Sequence, residues 1–436
     1  MTNRTKSPLL FAPSSHRVVE ASFDGGHVSS DAGVFLARAA DRRLGLLSSF
    51  ARRLADPRRR ASCEHSTLDL LRQRVYGLVQ GYEDLNDHAT LRDDRSIQAA
   101  VDRDTQLAHP STLCRWENRA DRRAAWAAHE ALADAFVASF RRPPKELVLD
   151  FDATDDPLHG QQEGRFFHGY YDGYCFLPLY VFCGSHLLVA YLRPSHIDAS
   201  HHACAVLALL VKRLRQAWPK VRIVLRADSG FCRWRMLRWC DAHDVGYVIG
   251  VARNTRLEAM AQRSLARAAA AHERSGKPER VFEDLSYAAQ TWDRPRRVVL
   301  KAEHLSGGPN PRFVVTNLDG DGRDLYERLY CARGDMENRI KEQQLGLFAD
   351  RTSCHRWWAN QWRLLLSGFA YTLVDGIRRL GLQGTELARA QAWTIRLKLL
   401  KVGAVVVCNT RRVRLLMSRA FPLQQLFREA APRLSG

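Results

Sequence analysis

The chain has 436 residues, 46% of them hydrophobic, and Lys+Arg 66 outnumber Asp+Glu 47 to give a formal net charge of +19 at pH 7. That length predicts about two to four domains, and the apolar content is enough for a buried core, which excludes a disordered polyelectrolyte. The longest apolar stretches, near 177–192 and 364–374, are broken by Gly, Ser, His or Pro, which argues against a membrane span.

The basic start, MTNRTKSPLLFAPSSHRVVE, has no long apolar run, so no secretory signal is expected. Residues 30–142 read mainly as helices, with apolar residues three and four apart in 66–80 and 122–140. His109-Pro110-Ser111-Thr112 resembles a helix start, and the helix it opens, carrying Arg115, reads equally as a DNA-recognition helix or a plain surface helix. After Arg142-Pro143-Pro144 the pattern changes. Residues 146–152 alternate strictly, with Leu147, Leu149 and Phe151 on one side and Val148, Asp150 and Asp152 on the other. Strands are expected at 169–183 and 187–192, a helix at 201–218, a strand at 221–227, a helix at 234–243 and a strand at 246–251, which together make a mixed α/β sheet. Residues 255–320 interrupt this rhythm with one helix and several short strands between Gly, Pro, Asp and Asn. Helix returns over 325–348 and 357–380. From Arg351 onward, 13 Arg and 2 Lys face 3 acidic residues, a net +12, which reads as a phosphate-facing surface.

The ten cysteines contain no Cys-x-x-Cys and no zinc-ligand spacing. They read as reduced thiols, and the expected compartment is the cytoplasm. With a charge of +19, a polyanion is the expected partner, nucleic acid first among them.

Carboxylates on such a basic protein need a reason, and a divalent metal is the usual one. Asp150 and Asp152 end one strand and Asp228 ends another, where α/β sheets place their sites. Glu337 lies on a helix where Tyr330, Arg333 and Glu337 fall at i, i+3 and i+7 on one face. Each has an ordinary explanation alone: a turn or cap for the aspartates, an Arg–Glu surface pair for the helix. The combination points to phosphoryl transfer, with carboxylates for metal and Arg and Tyr for phosphate oxygens.

The segments LVLDFDATDDPLHGQQEG (147–164), HGYYDGYCFLPLYVFCG (168–184), RADSGF (226–231), YCARGDMENRIKE (330–342) and TIRLKLLKVGA (394–404) together resemble the bacterial insertion-sequence DDE transposases of group 1, over about 20–420. The resemblance implies an RNase H-like mixed-sheet catalytic core with an inserted β-rich subdomain, flanked by a helical N-terminal region and a basic helical C-terminal region. The corresponding division is 1–142 for the DNA-binding helical region, 143–254 and 321–380 for the two parts of the core, 255–320 for the insertion and 381–436 for the basic region. It implies Asp152, Asp228 and Glu337 as catalytic carboxylates, with Asp150 the alternative to Asp152, and Tyr330 and Arg333 as DNA contacts in a Tyr-x-x-Arg-x-x-x-Glu signature. Relatives often carry Lys seven residues after the Glu; Gln344 stands there in this chain, with Lys341, one turn from Glu337, as the available substitute. Trp292 in the insertion reads as a core or surface residue, with a base-stacking role as the alternative.

The activity implied is cutting of transposon ends and joining of the 3′-hydroxyl to target DNA, with two Mg²⁺ ions (Mn²⁺ as a substitute) held by the carboxylates. Expected partners are double-stranded DNA, as terminal inverted repeats and target, and a second copy of the chain on DNA. Arg396, Lys398, Lys401, Arg411, Arg412 and Arg414 are the expected phosphate contacts of the C-terminal region. A catalytically inactive, domesticated transposase acting as a DNA-binding protein is the alternative.

Overall fold

The computed structural model describes residues 8–59 and 63–436. Its contacts divide the chain into two units. One comprises the chain up to Arg43, Asp56–Trp116 and Gly376–Gly436; the other comprises Leu44–Ala55 and Glu117–Asp375. Among the described residues no helix is long and apolar enough to cross a membrane, and all ten cysteines are free thiols.

The larger unit is built on a mixed sheet, nine-stranded among the described residues. Its strand order is Glu279–Tyr287, Arg296–Leu305, Arg312–Thr316, Val245–Val251, Arg222–Ala227, Glu146–Ala153, Leu179–Cys183 and His186–Tyr191, with Gly308–Pro309 paired to Arg296–Leu305. Glu146–Ala153, Arg222–Ala227 and Val245–Val251 are mutually parallel; Leu179–Cys183 runs antiparallel to the first of them. The expected 169–183 strand is two strands, Gly173–Phe176 and Leu179–Cys183. Pro178 stands in the gap, and a residue without an N–H cannot continue a ladder. Three strands of the 255–320 segment extend the central sheet, because Arg312–Thr316 pairs antiparallel with Val245–Val251.

The period-two pattern decides what covers each face. Leu147, Leu149 and Phe151 enter a core with Ile223, Leu225, Tyr247 and Ile249, closed by Leu207, Leu214, Met236 and Leu237 of the helices Ala203–Ala217 and Trp234–Ala242. Val148 joins Val224, Val248, Leu325, Tyr326 and Tyr330 on the opposite face. The helical run over 325–346 therefore packs on the side to which even-numbered residues of the first strand point.

In the smaller unit, Ser66 and Asp69 form a capping box on Thr67–Gln80, and Gly81 ends that helix at φ 97°, a left-handed turn that glycine adopts without strain. The C-terminal region, expected to be basic and helical, also contains strands. Ala404–Asn409 and Arg412–Met417 form an antiparallel hairpin, joined by Val28–Ser29. Val405, Val406 and Val407, a β-branched run, favour strand over helix. The start of the unit also holds a hairpin, Leu9–Ser14 with Arg17–Ala21.

Candidate active site

Two parallel strands deliver the first two carboxylates. Their register pairs Asp150 with Arg226 and Phe151 with Ala227; Asp152 follows the last pair on one strand, and Asp228 follows it just past the end of the other. Asp152 shares the parity of Val148 and faces the helical run. There Arg333 Nη1 lies 3.2 Å from Asp152 Oδ2, and Arg333 Nη2 lies 2.5 Å from Glu337 Oε1. Asp228 caps the turn Ser229–Phe231, accepting from the Gly230 amide at 2.9 Å.

The electrostatics link all three acids. Burial raises the pKa of Asp152 to about 7; Arg333 pulls it down, and the negative charges of Asp228 and Glu337 push it up. Burial alone would lower the pKa of Arg333, but Asp152 and then Glu337 outweigh that and hold it above its ordinary value. Tyr330 titrates above the ordinary tyrosine value because it is buried, with Arg333 opposing the shift and Asp228 adding to it. A Cβ built on Gly250 would stand 2.6 Å from the Tyr330 hydroxyl oxygen and 3.0 Å from the Ser229 amide. Glycine at this position lets Tyr330 close on the turn that follows Asp228.

Asp150 does not join this group. It is buried, and Arg226 grips it with two hydrogen bonds, Nη2 to Oδ2 at 2.7 Å and Nε to Oδ1. Arg226 Nη1 also donates to the Leu329 carbonyl at 2.5 Å, so this pair ties the strand to the helical run. Arg226, Gly250 and Tyr171 are site residues that the sequence reading missed. Arg226 was legible in principle, since two parallel strands in register set it opposite Asp150. Tyr171, whose pKa is pushed up to about 12 by burial and then by Asp155 and Asp152, had no sequence signal tying it to the acids.

Of the remaining residues in this unit, Lys341 is exposed one turn beyond Glu337, and Gln344 Nε2 donates to the Asp155 carbonyl at 2.9 Å. Trp292 is packed edge-on against Tyr287 at 5.5 Å, beside the main core.

The smaller unit separates its basic residues into two kinds. Arg396 donates to the carbonyls of Val79 and Leu78 at 3.0 and 3.1 Å. It caps the helix Thr67–Gln80, and burial lowers its pKa to about 10. Lys401 pairs with Asp31 at 2.7 Å and lies 3.9 Å from the centre of the Tyr82 ring. Both thus hold the fold together. Lys398, Arg411, Arg412 and Arg414 are exposed, the last three on or beside the hairpin tip, and Arg115 is exposed on the helix Pro110–Glu117.

Among the described residues no three His, Cys, Asp or Glu side chains are gathered tightly enough to hold an ion as they stand. The donor set nonetheless fits a hard divalent cation. The donors available are carboxylate oxygens, and Asp152, whose pKa burial raises to about 7, has Arg333 as the positive charge between it and Glu337.

Residues 11–436 match the family described as transposase DDE domain group 1. A solved structure of piggyBac transposase, in a synaptic complex with hairpin DNA, is similar over 84% of this chain and 79% of that one, at 11% sequence identity and a TM-score of 0.41. No curated protein matches the chain.

Proposed function

Since the chain belongs to the transposase DDE domain group 1 family, we propose that it is the transposase of a bacterial insertion sequence. It cuts the element's ends and joins the 3′-hydroxyl to target DNA, with Asp152, Asp228 and Glu337 as its catalytic carboxylates. The observation that carries this is Arg333 bridging from Asp152 to Glu337, with Asp152 and Asp228 each next in sequence after the last paired residues, Phe151 and Ala227, of two parallel strands. The strands of the core, taken in chain order, lie third, second, first, fourth, fifth, with the second alone antiparallel to the first. That order supports the RNase H-like reading.

The three carboxylates would hold two Mg²⁺ ions, or Mn²⁺ in their place, which supply activation of the attacking water or hydroxyl and stabilisation of the leaving oxygen. The protein's own groups position the DNA. Arg333 and Tyr330 face the scissile phosphate, and Lys341 reaches the flanking backbone. The exposed Lys398, Arg411, Arg412 and Arg414 hold phosphates of the terminal repeat, and Arg115 contributes from the N-terminal helices. A second copy of the chain completes the complex on DNA, in the cytoplasm of a bacterial cell.

The test is cleavage of a duplex carrying the element's end, in Mg²⁺, by the wild-type chain and by Asp228→Asn. Cleavage by the wild type that is lost in the variant with DNA binding retained is expected. Equal cleavage by both sinks the catalytic assignment, and binding without cleavage by the wild type favours the inactive, domesticated alternative.

A further inference from the structure

Just beyond Asp152 the chain forms a small three-stranded sheet, Asp156–Pro157, Gly173–Phe176 and Phe166–His168. Its base is anchored. Cys175 and Phe176 are buried, and the Phe176 ring meets Trp357 edge-on at 5.1 Å. Ser195 Oγ donates to the Phe166 carbonyl, and the Leu158 amide to the Tyr174 carbonyl, both at 2.8 Å.

The rest of the hairpin is unlike its base. Tyr170 is 85% exposed, Phe167 53%, Tyr174 46% and Phe166 42%. Four exposed aromatic rings in nine residues, on an arm this firmly rooted, leave a large apolar surface in water, and such a patch marks a binding surface. Phe167 and Tyr174 are cross-strand partners with their rings edge-on at 5.8 Å. The Arg165 guanidinium lies over the Tyr174 ring at 4.5 Å, and the His196 ring meets Phe166 at 4.0 Å. Tyr171, at the turn, is half-buried, and the sheet's first strand starts at Asp156, four residues beyond Asp152, so the arm is rooted where the strand carrying that carboxylate ends.

We propose that this hairpin is a nucleobase-binding arm, in which Tyr170, Phe167 and Tyr174 stack on unpaired bases of the DNA strand that passes Asp152, with Arg165 on the intervening phosphate. The proposal rests on the reading of Asp152 as a catalytic carboxylate. The occupant follows from the surface. The exposed side chains are flat aromatic rings rather than aliphatic ones, the Arg165 guanidinium lies among them with one nitrogen on the Gly160 carbonyl, and every base offers a π-face to such a platform whatever its sequence. A strand lying against Asp152 is also the one whose bases can reach the arm.

The test uses the full chain in EDTA and two probes, a fully paired duplex and the same duplex ending in a short single-stranded tail with 2-aminopurine in the tail. The wild type should quench the 2-aminopurine and bind the tailed probe tighter than the paired one. Phe167→Ala combined with Tyr170→Ala should abolish the quenching and weaken binding of the tailed probe by about tenfold or more, with paired-duplex affinity within about twofold of wild type. Tyr170→Phe should behave as wild type. All the altered rings are exposed, so an unchanged melting temperature checks the fold. Equal loss on both probes, or no loss on either, overturns the proposal. A lower sedimentation mass with tail binding intact also overturns it, and makes the arm an interface between copies. Because no cleavage is measured, quenching that responds to these variants stands even if the Asp228→Asn test fails.

Discussion

Arg333 Nη1 lies 3.2 Å from Asp152 Oδ2, although 181 residues separate them in the chain, and the other end of the same guanidinium holds Glu337. One fixed positive charge thus stands between two of the three acids. Any cation bound by both must displace or share with it.

Arg333→Gln should therefore raise the affinity of the DNA-free protein for Mn²⁺ by about tenfold, since even one screened charge interaction is worth about 1.4 kcal/mol. The same variant should cut DNA about a hundredfold more slowly, because an oriented cation facing the phosphate is lost. Calorimetric titration with Mn²⁺ checks the first part; an affinity equal to wild type would show that the guanidinium does not occupy the cation's place.

Asp152 supplies a prediction about pH. Its folded-state pKa, about 7, lies above the ordinary carboxyl value of 3.8. A group raised in this way favours the folded state most strongly when protonated. Its contribution is complete below pH 4 and is lost as pH rises through 7, by at most about 4 kcal/mol. Without divalent ions, the melting temperature of the wild type should fall between pH 4 and 8. Asp152→Asn should fall less over that window and melt a few degrees higher at pH 8. A parallel decline in both proteins would place the ionisable group elsewhere; Asp156, buried and raised to about 8 with Thr352, Asp350 and Asp155 around it, is the residue to substitute next.

Much of this site was legible before any coordinates. The alternation through 146–152 sets Asp152 on the face of Val148, and a helix with Tyr330, Arg333 and Glu337 on one side needs that face. What sequence could not distinguish was Asp150 from Asp152, because parity treats them alike. The difference is a partner, Arg226, supplied by another strand in a register that only the pairing reveals. The basic C-terminal residues show the same limit. Arg396 and Lys401 have the composition of phosphate contacts, but the carbonyls of Leu78 and Val79 and the carboxylate of Asp31 reach them first. Charge is visible in a sequence, whereas prior commitment of that charge is a tertiary fact.

Gly250 should tolerate no side chain. Its Cβ would fall 2.6 Å from the Tyr330 hydroxyl oxygen, so Gly250→Ala should destabilise the fold by about 1–3 kcal/mol and slow cleavage by moving Tyr330 or the turn after Asp228. Adding Tyr330→Phe removes the atom nearest the new methyl. The double variant should recover most of the stability in a urea melt; no recovery would locate the clash at the Ser229 amide instead.

The two classes of basic residue in the smaller unit should separate cleanly by experiment. Arg396 hydrogen-bonds two carbonyls at the end of Thr67–Gln80, and its side chain lies where any Cβ on Gly81 would collide with it, 2.8 Å from Cδ. Arg396→Ala removes the Arg396 donor from the Val79 carbonyl, while the Leu78 carbonyl keeps the Gly81 amide at 3.1 Å, and should cost about 1–3 kcal/mol of stability, seen as a lower melting temperature. Arg411, Arg412 and Arg414 are exposed, and among the described residues their guanidinium groups make no hydrogen bond or ion pair that the fold depends on. Replacing the three with Ala should leave melting unchanged but reduce the slope of log affinity against log salt by about one for each phosphate contact removed. A salt slope unchanged in the triple variant would show that the hairpin does not touch DNA. A melting temperature unchanged in Arg396→Ala would show that the helix end is satisfied without it, and would return Arg396 to the phosphate-contact set from which its burial removes it.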